Sequence, residues 1–324
     1  MIRGGRSTIV RPAVEGMSML TYVIRRVLQA ATTIAIVLVV AFTLGRLTGS
    51  PAALLLGENA TPQQVADLER SMGFDRPLPV QFVGFATGAL VGDFGDSYRR
   101  PGTPALAIVW ERMPATISLA LPAFAIGLAV AVAAVLAIYF AASRRLRAVF
   151  LWSGTLRHSV PDFFFGVLAV LIFSVMLGWL PSLGAASPAA YILPILTIAT
   201  GQFVLYVRLL DAEMAEQTRM DYVRTARAAG RSRAGILVLD VLPNAFLPVL
   251  TVAGLNLAML LGGTVIVEQV FAWPGIGSAL IEAVAQRDFP VVQAALLVVA
   301  VGFIVVNVLN DILHRVLDPR VRIR

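Results

Sequence analysis

Five stretches of this chain carry no charged residue, at 27–45, 113–143, 163–207, 241–267 and 289–310. A hydrocarbon core of ~30 Å takes about 20 residues of helix, so four of them hold one membrane span each and the third, which is the longest, holds two. Within that third stretch Gly178-Trp-Leu-Pro181-Ser-Leu-Gly184 supplies turn residues and an interfacial Trp between the two spans. The pattern predicts an all-α integral membrane protein with six transmembrane helices. The first span is too long and too internal for a cleaved signal peptide, and no small-residue cleavage site with polar chain behind it follows. Met1, Met17 and Met19 are alternative starts, and residues 1–18 are expected to form a disordered tail.

Composition agrees with a membrane protein. Of 324 residues 58% are hydrophobic and 14% charged, with mean hydropathy +0.82, whereas soluble domains carry about 25% charged residues. All 26 basic residues are Arg and none is Lys, so the net charge of +7 rests on groups that stay protonated at any physiological pH. They flank the spans instead of forming a soluble basic face, so a nucleic-acid partner is excluded despite a pI of about 10.6. Segments 1–26, 144–147, 208–233 and 315–324 together hold eighteen of the 26. Under the positive-inside rule these lie in the cytoplasm, as do both termini. The chain has no Cys and two His, so it offers no disulfide, no thiolate and no metal site.

Between the first and second spans lies a long segment on the outer side. Thr61-Pro62-Gln63-Gln64 is a helix start, with Thr as cap, Pro at the first helical position and Gln three residues after the cap. A short helix is expected from there towards Gly73, then a break at Phe74-Asp-Arg-Pro-Leu-Pro79 and an interfacial stretch ending in a turn near Gly92. The segment reads either as a packed cap on the outer face or as a contact for a partner. The organisation is thus a tail at 1–18, the first span with its outer segment at 19–113, a membrane core at 114–313 containing a polar loop at about 211–243, and a tail at 314–324.

That polar loop is the sharpest feature. Helix-forming residues run from 212 to 229 and end at Gly230, a C-cap residue, and Ser232 can cap a second helix. Val223, Ala226, Ala229 and Gly230 share one helical face, while Arg224, Arg227 and Arg231 share another. Small residues admit a second backbone closely and arginines bind acidic groups. Residues alone leave two readings: a docking helix, or a solvated loop whose arginines only set topology.

A resemblance bears on that choice. Gly230, nine residues, then Asp240-Val-Leu242-Pro243 is similar to the cytoplasmic loop of ATP-binding-cassette importer permeases, in which a Glu-Ala-Ala triplet, a Gly three residues on and a distal Leu-Pro dock on the ATPase. Here the triplet reads Arg224-Thr225-Ala226, and Asp240 stands where an aliphatic residue is usual. Asp221-Tyr-Val-Arg-Thr-Ala-Arg-Ala228 resembles the dipeptide/oligopeptide/nickel branch. So, in order, do Leu20-Thr-Tyr-Val-Ile-Arg-Arg26, Gly73-Phe-Asp-Arg-Pro-Leu-Pro79, Gly92-Asp-Phe-Gly95, Arg112-Met-Pro-Ala-Thr116, Ser159-Val-Pro161, Asn244-Ala-Phe-Leu-Pro248, Glu268-Gln-Val-Phe-Ala-Trp273-Pro-Gly-Ile-Gly277 and Asp318-Pro319-Arg320.

The resemblance implies a type I importer permease in the bacterial inner membrane. It would pair with a sister permease as a heterodimer, two ATP-binding subunits and an extracytoplasmic substrate-binding protein, with ATP and Mg held by the partners. Asp221, Tyr222, Arg224, Thr225, Ala226, Arg227, Ala229, Gly230, Leu242 and Pro243 would form the ATPase-coupling loop. A Walker phosphate loop needs a Lys, so this Lys-free chain is not the ATPase and no catalytic residue is assigned. Peptides are the expected solute, with nickel chelates, glutathione or another small solute as the alternative.

Five further positions carry readings. Glu268, beside Trp273, either lines the outer face where solute enters or caps a helix of the outer loop. Arg157, His158 and Asp162 sit at the membrane boundary around Pro161, as a functional group or as a pairing where a broken backbone meets water. Two rival classes fit less well. An ion-coupled carrier places carboxylates mid-membrane on repeated broken helices, whereas these spans are nearly free of acids and show no duplicated halves. A membrane scaffold has no use for an arginine and small-residue loop with a fixed distal Leu-Pro.

Overall fold

The computed structural model describes residues 19–47, 51–57 and 60–317. The expected tail at 1–18 and the last residues, including Asp318-Pro319-Arg320, lie outside them. Among the described residues the chain is helical throughout apart from one isolated bridge between Asp96 and Pro104. Helix α1 (Met19–Leu47) is followed by three short helices, α2 (Pro51–Leu56), α3 (Pro62–Ser71) and α4 (Leu78–Leu90). The start of α3 forms the box its sequence suggests, with Thr61 Oγ1 accepting from Gln64 N and Gln64 Oε1 accepting from Thr61 N. Then come α5 (Ala105–Ala141), α6 (Arg144–His158) and α7 (Asp162–Ala169), which runs on in π geometry through Val170–Met176. After a 3₁₀ turn at Pro188–Tyr191 the chain forms α8 (Ile192–Gln217), α9 (Asp221–Ala228) and a single turn α10 (Arg233–Gly235). From there it passes by a π stretch (Ile236–Val241) into α11 (Leu242–Gly263), and α12 (Val265–Val270), α13 (Ile276–Ala285) and α14 (Phe289–Leu317) close the chain.

Five spans are long and apolar enough to cross a membrane, at Val23–Leu47, Ala105–Ala141, Pro188–Gln217, Arg233–Gly262 and Phe289–His314. A sixth exists only if α6 and α7, which bend by 99° at their break, count as one. Hydropathy placed the third span at the start of the 163–207 stretch, yet Asp162–Met176 supplies only its second half. The first half is α6, a helix that the sequence reading left unassigned because its first turn holds three arginines. Ser143 caps it, its side chain accepting from Leu146 N.

Helix α8 is the axis of the bundle, packing against α5, α6, α7 and α11. At the end bearing α9, Tyr206, Val207, Leu210 and Met214 of α8 bury together with Val135, Leu237 and Val249. At the opposite end Leu193 and Ile198 join Leu119, Ala123, Phe271 and Trp273. Against this axis Arg157 at the end of α6 pairs with Asp162 at the start of α7. Both sit beside Thr200, midway between Ile192 and Arg208 and about 12 Å of helix rise from each. The pair therefore packs against the middle of the uncharged part of α8, Ile192 to Val207, at the point where the preceding helix breaks.

The long segment between α1 and α5 packs onto the bundle as a cap. Phe42 of α1 meets Phe82 and Phe85 of α4, and the Arg46 guanidinium lies 4.0 Å over the Phe74 ring. Its far end is latched by Asp288, between α13 and α14, which accepts from Ser97 Oγ and, at 3.0 Å, from Tyr98 N. Arg99 Nε donates to Gln286 O at 3.0 Å. Burial pushes the Tyr98 phenol up to about 12, with the Arg46 guanidinium opposing and the Asp288 carboxylate adding to the rise. Replacing Asp288 by Ala strands these donors, so Asp288→Ala should lose roughly 1–3 kcal/mol of stability. It should read as a lower unfolding temperature of the purified protein, with Asp288→Asn, which keeps an acceptor, falling less.

Candidate functional site

The polar loop is built outward from α8. Past Arg208 that helix stays buried on one side, where Asp211 accepts from Arg147 Nε at 3.0 Å and forms an ion pair with the same guanidinium at 2.8 Å. The expectation of one helix over 212–229 is wrong: α8 stops at Gln217, Met220 is extended (φ −69°, ψ 153°), and α9 starts afresh at Asp221. The cause is packing. Val223, 3% exposed, belongs to the same cluster as Met214 and Leu237, and the chain reaches it only by turning back on itself. Tyr222 Oη donates to Gln217 Oε1 at 2.9 Å across the break, and Thr225 Oγ1 donates to Asp221 O at 3.1 Å.

Only half of the expected small-residue face is buried. Val223 points inward and Ala226 packs beside it, while Ala229 and Gly230, grouped with them on a helical wheel, lie beyond the last helical turn and are exposed. Gly230 has φ 79°, the left-handed conformation that ends the helix. Its N–H reaches Arg227 O and that of Arg231 reaches Ala226 O, satisfying two carbonyls that the helix end would leave free. Arg224, Thr225 and Arg227 complete the exposed face. The Arg224–Asp221 contact of 3.4 Å is almost wholly in solvent, so it does little to hold either group.

Ser232 caps the next turn, its Oγ accepting from Gly235 N. Asp240 follows: Arg231 meets its Oδ1 at 2.5 Å, Asn244 Nδ2 donates to its backbone carbonyl at 2.7 Å, and its Oδ2 is buried without a hydrogen-bond partner. Arg233 donates to Tyr139 O at 2.7 Å, tying the loop to α5. Leu242 packs on the core beneath, while Pro243 is exposed in the first turn of α11. Pro243 has no N–H for the preceding turn, which widens to π geometry over Ile236–Val241. Burial raises the Tyr222 phenol, a hydrogen bond from Asn244 opposes, and the Asp240 charge adds to the rise. The loop thus presents guanidinium groups and small side chains on a buried Val223 pivot; it holds no acid–base or nucleophile pair, and its chemistry is that of a docking surface.

Glu268 and Trp273 are both buried in the fold. Glu268 is 0% exposed and Trp273 1%. Glu268 Oε1 accepts from Thr116 Oγ1 at 2.7 Å and Thr264 Oγ1 at 3.0 Å, and Oε2 accepts from Ser278 N at 2.9 Å. Thr116 Oγ1 in turn accepts from Ile276 N at 2.8 Å. The placement is in keeping with the helix-cap reading, the carboxylate accepting one N–H of the first turn of α13, that of Ser278, beside two threonine hydroxyls. A side chain at Gly275 would overlap it. Trp273 donates from Nε1 to Ala115 O at 2.9 Å and packs edge-on against Tyr191. Sequence could name Glu268 but not Thr116, its partner 152 residues away.

A bundle of broken and capped spans with a basic loop at one end is that of a multi-pass membrane protein, and comparison with known proteins gives its role. Residues 130–323 match the family described as "Binding-protein-dependent transport system inner membrane component", and residues 19–120 match its N-terminal companion. The "Glutathione transport system permease protein GsiC" of Salmonella typhi is 38% identical over 312 residues, covering 94% of this chain and 99% of the relative. A "Putative peptide transport system permease protein" of Brucella abortus (strain 2308) is 39% identical over 323 residues, again covering 94% and 99%. Among solved structures, a chain of the inward-facing MetNI methionine ABC transporter shares the fold. Its TM-score is 0.53 at 16% identity, over 65% of this chain and 97% of that one. The chain belongs to the binding-protein-dependent inner membrane components, in the branch of peptide and nickel importers. It is a multi-pass permease subunit of the bacterial inner membrane and not an enzyme, and its family works with ATP-binding and substrate-binding partners.

The Arg231–Asp240 pair yields a test. Arg231→Ala leaves a half-buried carboxylate unpaired, so amide hydrogen exchange across 229–241 should quicken. Arg231→Ala combined with Asp240→Leu, which restores an aliphatic side chain, should bring protection back.

Proposed function

We propose that this chain is one of two permeases, itself and a sister, that enclose the membrane path for peptides delivered by an extracytoplasmic binding protein. The arginine-rich end of the bundle faces the cytoplasm, with both chain termini, because the positive-inside rule puts it there. Two ATP-binding subunits holding ATP and Mg dock on the α9 loops of the two permeases. The observation that carries this reading is the mounting of α9: Val223 is anchored in the core that contains α8 and α11, while Arg224, Thr225, Arg227, Ala229 and Gly230 stand exposed above it. A push on that face by an ATPase changing conformation passes through Val223 to Met214 and Leu237, and so into two spans at once. Exposed guanidinium groups favour an acidic groove on the ATPase in place of the one met by a Glu-Ala-Ala triplet.

Peptides are the solute because relatives covering nearly the whole length of this chain carry peptide and glutathione names. Glutathione, itself built of amino acids, is the second reading, favoured by the first of those names. Purification of the complex in mild detergent should recover the sister permease and the ATP-binding subunits. Binding protein loaded with trialanine should then raise ATP hydrolysis more than the same protein loaded with glutathione; the reverse order selects the second reading, and failure to recover any ATPase ends the first. Arg224→Glu with Arg227→Glu should leave membrane insertion unchanged while cutting ATPase recovery about tenfold or more, the equivalent of ~1.4 kcal/mol.

A further inference from the structure

We propose that Asp162, braced on Arg157 at the break between α6 and α7, lies on the solute path and accepts hydrogen bonds from cationic N–H groups of the solute within the membrane. The inference rests on the importer reading for its solute and on geometry for its place. Arg157 is committed to the protein: Nε donates to Thr200 Oγ1 at 2.9 Å, one terminal nitrogen to Val160 O at 3.0 Å, and the other to Thr197 O at 2.9 Å and Asp162 Oδ1 at 2.6 Å. The guanidinium lies 4.2 Å over the Phe165 ring, and its side chain is 11% exposed. Its charge is shared among fixed acceptors and an aromatic face, and none of its surroundings invites a ligand.

Asp162 is the opposite case. Its side chain is 55% exposed, so the carboxylate is held on one side by Arg157 and bare on the other. Within a membrane a bare carboxylate is costly to leave facing hydrocarbon, so its open side calls for water or polar groups. The broken backbone at Ser159–Pro161 is largely satisfied within the chain, Val160 O accepting from Arg157 and Pro161 O from Phe165 N, so the open side of Asp162 alone points to a polar surface beside α7. A carboxylate is acceptor-only, so its open oxygen selects donors, and a protonated amine above all. A free peptide brings such a group at its amino end.

The absence of Cys from the chain makes the test direct. In the assembled transporter, Ser159→Cys keeps the ion pair and places a thiol beside it, with Arg145→Cys at the exposed start of α6 as the reactive control in place of any residue of the docking face. A cationic, membrane-impermeant trimethylammonium methanethiosulfonate and its anionic sulfonate analogue are applied, each rate being normalised to its rate with free cysteine. Both reagents should reach the thiol, the cation about fivefold faster, as expected for one nearby carboxylate in a partly aqueous setting. Adding Asp162→Asn should remove most of that preference and Asp162→Glu should keep it. Phe164→Cys, on an apolar exposed side chain, should stay unlabelled. Trialanine transport should fall with Asp162→Asn and recover with Asp162→Glu. The proposal is overturned if Ser159→Cys resists both reagents while Arg145→Cys at the exposed start of α6 reacts, as it would if a sister subunit covered Asp162. It is equally overturned if the cation preference survives Asp162→Asn. If the unsubstituted complex does not carry trialanine at all, the peptide reading fails, and the labelling rates still decide whether Asp162 meets the path.

Discussion

Close backbone contact along α8 is the constraint on which the bundle depends. In a bilayer, helices gain no hydrophobic free energy by leaving lipid, so van der Waals fit and interhelical hydrogen bonds must hold them together. A Cβ at Gly127 of α5 would come within 2.9 Å of Ala199 O, and one at Gly201 within 3.1 Å of Asp162 Oδ1. The two glycines let α5 and the start of α7 sit directly on the α8 backbone. With α8 fixed in this way its two ends become platforms. One carries Val223 and hence α9; the other carries Phe271 and Trp273 and hence the α12–α13 turn.

Polar groups in this chain follow one rule: where a carboxylate leaves water it is given a fixed set of donors from distant parts of the chain. Glu268 takes two hydroxyls and a helix N-terminus, Asp288 a hydroxyl and a backbone amide, and Asp211 a guanidinium. Each joins elements that are far apart in sequence, so each acts as a clamp, although Asp211 Oδ1 stays buried without a hydrogen-bond partner. Asp162 differs in its exposure: one oxygen is held by Arg157 and the side chain is otherwise open. Asp240 sits between the cases: Arg231 replaces by charge pairing what an aliphatic side chain would supply by packing.

Local signals were read from sequence with success where one short stretch contained both partners. The Thr61–Gln64 capping box, the left-handed Gly230 and the cap at Ser232 all lie within four residues of what they bond. Helix continuity failed the same method at 218–220, because the residues there are compatible with helix and only the pull of Val223 towards Met214 and Leu237 breaks it. Likewise α6 escaped notice: three arginines in its opening turns masked a helix whose reason for being is its packing against α8.

Sequence by itself determined where five of the spans lie, which ends of them are basic, that the chain lacks a phosphate-binding Lys, and which family it joins. These properties follow from hydropathy, charge and motif order, all carried by residues near one another in the chain. Only the tertiary structure decided that the third span is bent in two, that Glu268 is buried against the first turn of α13, and that Arg157 and Asp162 meet against the middle of the uncharged part of α8. Those outcomes depend on partners such as Thr116, Ser278, Thr197 and Thr200, brought together by the packing of α8 with its neighbours, and no local pattern encodes a distance across a folded bundle.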